Sequence, residues 1–281
     1  MNIVFGILFV FIFLFLWVRW QERSGLFFPA RDLYISPTAE GLAFEDVHFN
    51  SAGNELHGWY IPASGDQVVL WMHGNAGNIA DRLDQAVEMK RSLGVSSLMF
   101  DYRGYGKSEG RPSEKGLYQD AEAAFKWLTG TMGFDPGNII LYGHSLGSAV
   151  SVDLALSKGV SAGGMVLESP FTSAADVART IYFGLPVGLV MSVKLDNIGR
   201  IGEVKMPILV IHGVSDTVIP FRMGKEVFDA APEPKTFLSV AGGDHSDCYI
   251  VGGADYWNAW KRLLQHAARS TQNKVKSFNA G

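Results

Sequence analysis

Residues 138–147 read Asn-Ile-Ile-Leu-Tyr-Gly-His-Ser-Leu-Gly, and this stretch limits the fold more tightly than any other. The apolar run 139–142 has the length of a buried strand. Gly143-His144-Ser145-Leu146-Gly147 follows without a spacer, and the small residues from Ser148 to Val152 then suit a closely packed helix. A G-x-S-x-G joint between strand and helix is a nucleophile elbow. The turn is so tight that side chains at positions 143 and 147 would strike neighbouring backbone. Ser145 is left strained with its hydroxyl in open space, and the helix that begins there aims free N–H groups at developing negative charge. An ordinary strand-to-helix turn with a capping serine is the bland alternative, and the rest of the chain has to decide between them.

The 281 residues suit one α/β domain plus an appendage. Net charge of −4 with 19% charged residues gives no nucleic-acid signature. Cys248 is the sole cysteine, which excludes an internal disulfide framework. Neither Cys–His metal spacing nor a phosphate-binding G-x-x-x-x-G-K-[ST] loop is present, so no cofactor is implied.

Residues 3–18 are uninterruptedly apolar. Sixteen residues of helix reach about 24 Å, short of a ~30 Å hydrocarbon core. A snorkelling Arg19 can extend the run, and Trp17 and Trp20 suit an interface. No Lys or Arg precedes it and no A-x-A site follows it, which argues against a cleaved signal peptide. We therefore expect an uncleaved transmembrane anchor over residues 1–24, making the membrane a partner and the location. Arg19, Arg23 and Arg31 on its C-terminal side tilt the expectation towards a cytoplasmic catalytic domain.

The domain is expected over residues 25–270. Segments 43–49 and 56–61 alternate in polarity around Ser51-Ala-Gly-Asn54 and suggest a hairpin, with His48 and His57 as half-exposed strand residues. Further strands are expected at 68–72, 97–100, 139–142, 165–167, 207–211 and 235–240, with helices between them. That pattern is a mostly parallel sheet of about eight strands flanked by helices. Residues 171–200 are apolar, glycine-broken and poorly periodic, and suit a small helical cap over an apolar pocket. Residues 271–281 carry few apolar side chains and are expected to be disordered.

In such sheets, ligand groups collect beyond the carboxyl ends of the strands. Four candidates lie there: Asn75, Ser145, Asp216 and His245. A serine hydroxyl is a weak nucleophile at neutral pH, so a neutral imidazole must take its proton. Among seven histidines, His245 alone follows the last strand in a polar loop able to reach the elbow. His144 adjoins Ser145, but neighbouring side chains at an elbow point apart. Asp216 is the expected orienter of His245, with Glu168 as its rival. Asp244 and Asp247 flank His245 too closely for that role. The oxyanion donors are expected to be the N–H groups of Asn75, in the loop His73-Gly-Asn-Ala-Gly-Asn78, and Leu146. Asp101 and Arg103 are expected to brace that loop.

These motifs in register resemble the small membrane-anchored α/β-hydrolase-domain proteins of bacteria and eukaryotes: His73-Gly-Asn-Ala-Gly-Asn78, Asp101-Tyr-Arg-Gly-Tyr-Gly-Lys-Ser-Glu-Gly110, Gly143-His-Ser-Leu-Gly147, His212-Gly-Val-Ser-Asp216 and the His245 loop. They also share the core pattern of prolyl-oligopeptidase-type peptidases, without the large N-terminal propeller. The resemblance covers about residues 45–266 and implies an α/β-hydrolase fold, a Ser145–Asp216–His245 triad and hydrolysis through an acyl-enzyme. Ser148 stands where a third glycine is frequent. The expected activity is cleavage of esters or thioesters of apolar acyl groups, the alternatives being a peptidase or amidase, or a catalytically silent anchored scaffold.

Overall fold

In the computed structural model the described residues are 2–24, 26–182 and 191–279. The hairpin forms as expected, with β2 (Glu45–Ser51) antiparallel to β3 (Asn54–Ile61). A short β1 (Phe28–Pro29) pairs apart from the main sheet with β5 (Ala76–Gly77). The parallel strands are β4 (Val68–Met72), β6 (Ser96–Phe100), β7 (Ile139–His144), β8 (Gly164–Glu168), β9 (Ile208–Gly213) and β10 (Lys235–Val240). The eight-stranded sheet runs β10-β9-β8-β7-β4-β6-β3-β2. β3 joins β6 antiparallel, and every pair from β6 to β10 is parallel. The continuous apolar runs at β4 and β7 follow from this position, since both strands are buried along their whole length.

The covering helices are α2 (Leu83–Leu93), α3 (Glu114–Lys126), α4 (Leu146–Leu156), α6 (Phe221–Ala230), the short α7 (Cys248–Val251) and α8 (Gly253–Asn279). Their apolar stripes divide the core into two layers. One gathers Leu117, Ala121, Phe125, Val150 and Met223 on one face of the sheet. The other gathers Ala86, Met89, Tyr256, Trp260 and Leu264 on the opposite face. Chain starts follow capping chemistry: the Ser113 hydroxyl accepts from the Gly116 N–H at the head of α3, and Asn78 with Asp81 forms a capping box ahead of α2.

Three expectations change. The N-terminal run is helical, α1 (Asn2–Ser24), yet among the described residues no helix is long and apolar enough to cross a membrane. The expected transmembrane span is thus unsupported; the apolar run stops at Val18, before Arg19, Gln21, Glu22 and Arg23. α8 extends to Asn279 through the stretch expected to be disordered, because an established helix adds a hydrogen bond for each residue it fixes and escapes the cost of nucleation. His57 is buried and hydrogen-bonded through Nε2 to Asp46, 2.7 Å away. Of the expected cap, α5 (Ala174–Ile181) is a helix and 191–200 a returning segment, while residues 183–190 lie outside the described residues.

Candidate active site

Ser145 joins the end of β7 to the start of α4 at φ 53° and ψ −115°, a strained conformation for a residue with a side chain. Hydrogen bonds on both sides hold it there. Its N–H donates to the Glu168 carbonyl at 2.9 Å, and its own carbonyl accepts from the Ser148 N–H at 2.9 Å and the Ser148 hydroxyl at 2.6 Å. The glycines are required sterically: a Cβ at Gly143 would meet the Gly147 carbonyl, and one at Gly147 would meet the carbonyl oxygen of Met72.

His245 leaves the loop after β10, and Asp216 the loop after β9. His245 Nδ1 lies 2.8 Å from Asp216 Oδ2. A carboxylate only accepts, so Nδ1 carries the proton and Nε2 keeps its lone pair. Asp216 is itself immobilised. Its Oδ1 accepts from the N–H groups of Val218 at 2.9 Å and Ile219 at 2.7 Å, and His212 Nε2 stands 3.3 Å from Oδ2. Burial opposes ionisation of Asp216, but the bonds from His212, His245 and Ile219 outweigh it and hold the carboxyl well below the usual carboxylate range. The His245 carbonyl accepts from His144 Nε2 at 2.9 Å and from the Ser169 hydroxyl at 3.3 Å. Asp216 is the sole hydrogen-bond partner of the His245 ring among the described residues.

The other candidates separate cleanly. Glu168 does not bond to His245. It is buried behind the elbow, where Oε2 accepts from Tyr142 and Tyr256, each at 2.6 Å, and from Gln85 at 3.3 Å. Burial raises its carboxyl above the usual range against the pull of those donors. Asp244 serves the backbone: Oδ1 accepts from the N–H groups of His245 and Thr217, each at 2.8 Å, and so ties the His245 loop to the Asp216 loop. Asp247 accepts from the Asp244 N–H at 2.6 Å. His73 and His212 bond to loop carbonyls, of Gly74 at 2.7 Å and Ile219 at 3.0 Å. Burial is the main cause that lowers His73 and His144 to about 3 each, so both are neutral.

Asn75 stands just beyond β4 and lines the same cavity as Ser145 and Leu146. Tyr105 donates to its carbonyl at 2.8 Å, and its side-chain amide donates to the Leu26 carbonyl at 2.7 Å. Leu146 opens α4, so its N–H has no intrahelical acceptor. Asp101 braces the loop as expected, accepting from the Ile79 N–H at 3.0 Å. Arg103 does not; it forms a forked pair with Asp120 on α3, at 2.7 Å from Nη2 to Oδ1 and 3.1 Å from Nε.

Sequence reasoning missed Ser148 and Asn197. The Ser148 hydroxyl accepts from Asn197 Nδ2 at 2.9 Å while it donates to Ser145, and the same amide also donates to the Phe171 carbonyl at 2.8 Å. The departure from glycine at position 148 was the only signal available. The cavity at Ser145 has a volume of about 520 Å³ and a mostly apolar lining, with one face of α5 (Ala174, Val177, Ala178 and Ile181) along its wall. That spacing of i, i+3, i+4 and i+7 is a single helical stripe.

Comparison with known proteins agrees with this architecture. A family model described as serine aminopeptidase, S33, matches residues 63–185. An uncharacterized protein of Mycobacterium tuberculosis (strain ATCC 25618 / H37Rv) is 40% identical over 261 residues, covering 92% of this chain and 91% of that protein. The α/β hydrolase domain-containing protein WAV2 of Arabidopsis thaliana is 34% identical over 254 residues, covering 83% and 82%. The chain belongs to the α/β-hydrolase superfamily. Among solved structures, the Pyrococcus furiosus esterase Pf2001 superposes with a TM-score of 0.70 over 85% of this chain and 97% of its own, at 19% identity. At that identity the likeness concerns the fold alone. Within the α/β-hydrolase arrangement seen here, Ser145, Asp216 and His245 follow β7, β9 and β10 at the carboxyl edge of the sheet.

Proposed function

We propose that this hydrolase is a serine esterase or thioesterase acting on apolar acyl substrates. One observation carries the reading: Ser145, strained at its elbow, lines an apolar cavity, and on the same sheet edge His245 bonds through Nδ1 to an ionised Asp216 at 2.8 Å. In this mechanism Ser145 Oγ attacks the acyl carbonyl carbon and its proton passes to His245 Nε2. Charge collects on the carbonyl oxygen, where the Asn75 and Leu146 N–H groups receive it. Collapse breaks the bond to the leaving alcohol or thiol, which takes the proton from His245. Water then repeats the sequence on the acyl-enzyme, releasing the acid and restoring Ser145. Asp216 holds the tautomer and stabilises the imidazolium throughout. Each oxyanion donor contributes on the order of 10²–10³ in rate.

The same reading attaches the enzyme to a membrane through α1, on which Phe5, Phe9, Phe11 and Phe13 stand exposed. The amidase alternative draws on the description of the matched family model, and amide chromogenic substrates run beside esters discriminate the two. The deciding experiment is labelling of the full chain with a fluorophosphonate, in which the serine oxygen–phosphorus bond forms and fluoride leaves. The expected result is labelling of the parent and none of Ser145→Ala. Equal labelling of both would move the nucleophile elsewhere, and absence of label on both would favour a silent scaffold.

A further inference from the structure

The cavity that holds Ser145 is not built from the catalytic domain alone. Trp17, on α1, lines it together with Leu26 and Phe28 from the segment that follows. The indole meets Tyr182 edge-on, with ring centroids 5.5 Å apart and planes at 77°. Tyr182 immediately follows α5, and Trp17, Tyr182 and Met191 pack together on Ala178. Ala174 and Ala178 are the smallest side chains on the α5 stripe, so the wall there is shallow and the indole supplies much of its bulk. The remaining lining includes Val177, Leu195 and Ile219, and polar side chains are few. A ligand part held against Trp17 therefore gains mainly by burial of apolar area, about 25 cal/mol per Å².

Building on the acyl-hydrolase reading, we propose that Trp17 is a specificity-determining residue: α1 forms one wall of the acyl site, and Trp17 with Tyr182 binds the methylenes of a long acyl chain. The N-terminal helix is then part of the substrate site, beyond any role in attachment. The sequence places Trp17 more than a hundred residues from Ser145, and only the docking of α1 beside α5 joins them.

The test uses two fluorophosphonates on the full-length protein in detergent, one with an ethyl and one with a dodecyl group, and reads the rate of Ser145 labelling by each. The parent is expected to favour the dodecyl probe. In Trp17→Ala the ratio of dodecyl to ethyl rates should fall at least about fivefold, with the ethyl rate held within about twofold. Trp17→Phe should retain most of the preference. Phe9→Ala, whose side chain is 69% exposed on the same helix, should leave both rates unchanged. A ratio that is unchanged or raised in Trp17→Ala overturns the proposal, as does an equal fall of both rates, which would make Trp17 a merely structural support. Failure of the parent to label with either probe would instead strike the serine-hydrolase reading, so the two failures are distinguishable.

Discussion

At the scale of single residues, the proposed chemistry depends on which nitrogen of His245 carries the proton. Ionised Asp216 can only accept, and it is fixed by the N–H groups of Val218 and Ile219 as well as by His245. Asp216→Asn keeps the shape and an acceptor for those N–H groups, but it can turn an amide N–H towards Nδ1 and favour the wrong tautomer. We expect a loss in kcat/KM on the order of 10³–10⁴ with thermal unfolding nearly unchanged. Steady-state ester hydrolysis and a melting curve check both halves, and a fully active variant would remove Asp216 from the mechanism. Ser148 shows how one position can serve two elements: its hydroxyl joins the carbonyl of Ser145 to the amide of Asn197, a link that a glycine there would forfeit.

At the scale of elements, the segment 191–200 of the expected cap is pinned to the body by α3. Glu114, in the first turn of α3, accepts from the N–H of Lys194 at 2.9 Å and of Leu195 at 2.8 Å, and from the Tyr118 hydroxyl at 2.8 Å. These bonds hold the segment that returns from the cap. Two backbone donors lose their partner in Glu114→Ala, at a cost of about 1–3 kcal/mol. The cost should appear locally. Hydrogen exchange is expected to quicken in residues 191–200 and stay unchanged in β7 and β8; uniform quickening would mean that the bond supports the whole fold. The same cap explains a limit of periodicity analysis. The stripe on α5 is regular, but it is eight residues long and is flanked by apolar, glycine-broken sequence that hides it.

At the scale of the whole molecule, the site is built around buried neutral histidines, and these couple stability to pH. His144 is lowered from 6.5 to about 3, with burial as the largest cause and the neighbouring His245 next. Its folded value is depressed, so the unfolded chain binds the proton first. The stability it contributes is complete above about pH 6.5 and declines as pH falls towards 3, by up to about 1.4 kcal/mol per pH unit. Glu168 and Asp101 pull the other way, since their carboxyls are raised by burial. A difference experiment cancels them. Denaturant midpoints of the parent and His144→Asn, compared from pH 7.5 to 4.5, should converge as pH falls, because only the parent loses the His144 contribution. Parallel curves would show that His144 titrates alike in the folded and unfolded states.

The sequence by itself determined the elements and the order of the site. Apolar runs of strand length, the two glycines of the elbow and the acid and base beyond successive strands are local properties of the chain, and β7, β9 and β10 carry Ser145, Asp216 and His245 where those signals place them. The tertiary structure decided what depends on distant partners. Chain order favoured Asp216 over Glu168 as partner of His245, but only the folded loops bring the Asp216 carboxyl to Nδ1, while Tyr142 and Tyr256 claim Glu168. Arg103 is drawn to Asp120 for the same reason. The burial of His57 and the entry of Trp17 into the Ser145 cavity likewise depend on packing between segments far apart in the chain.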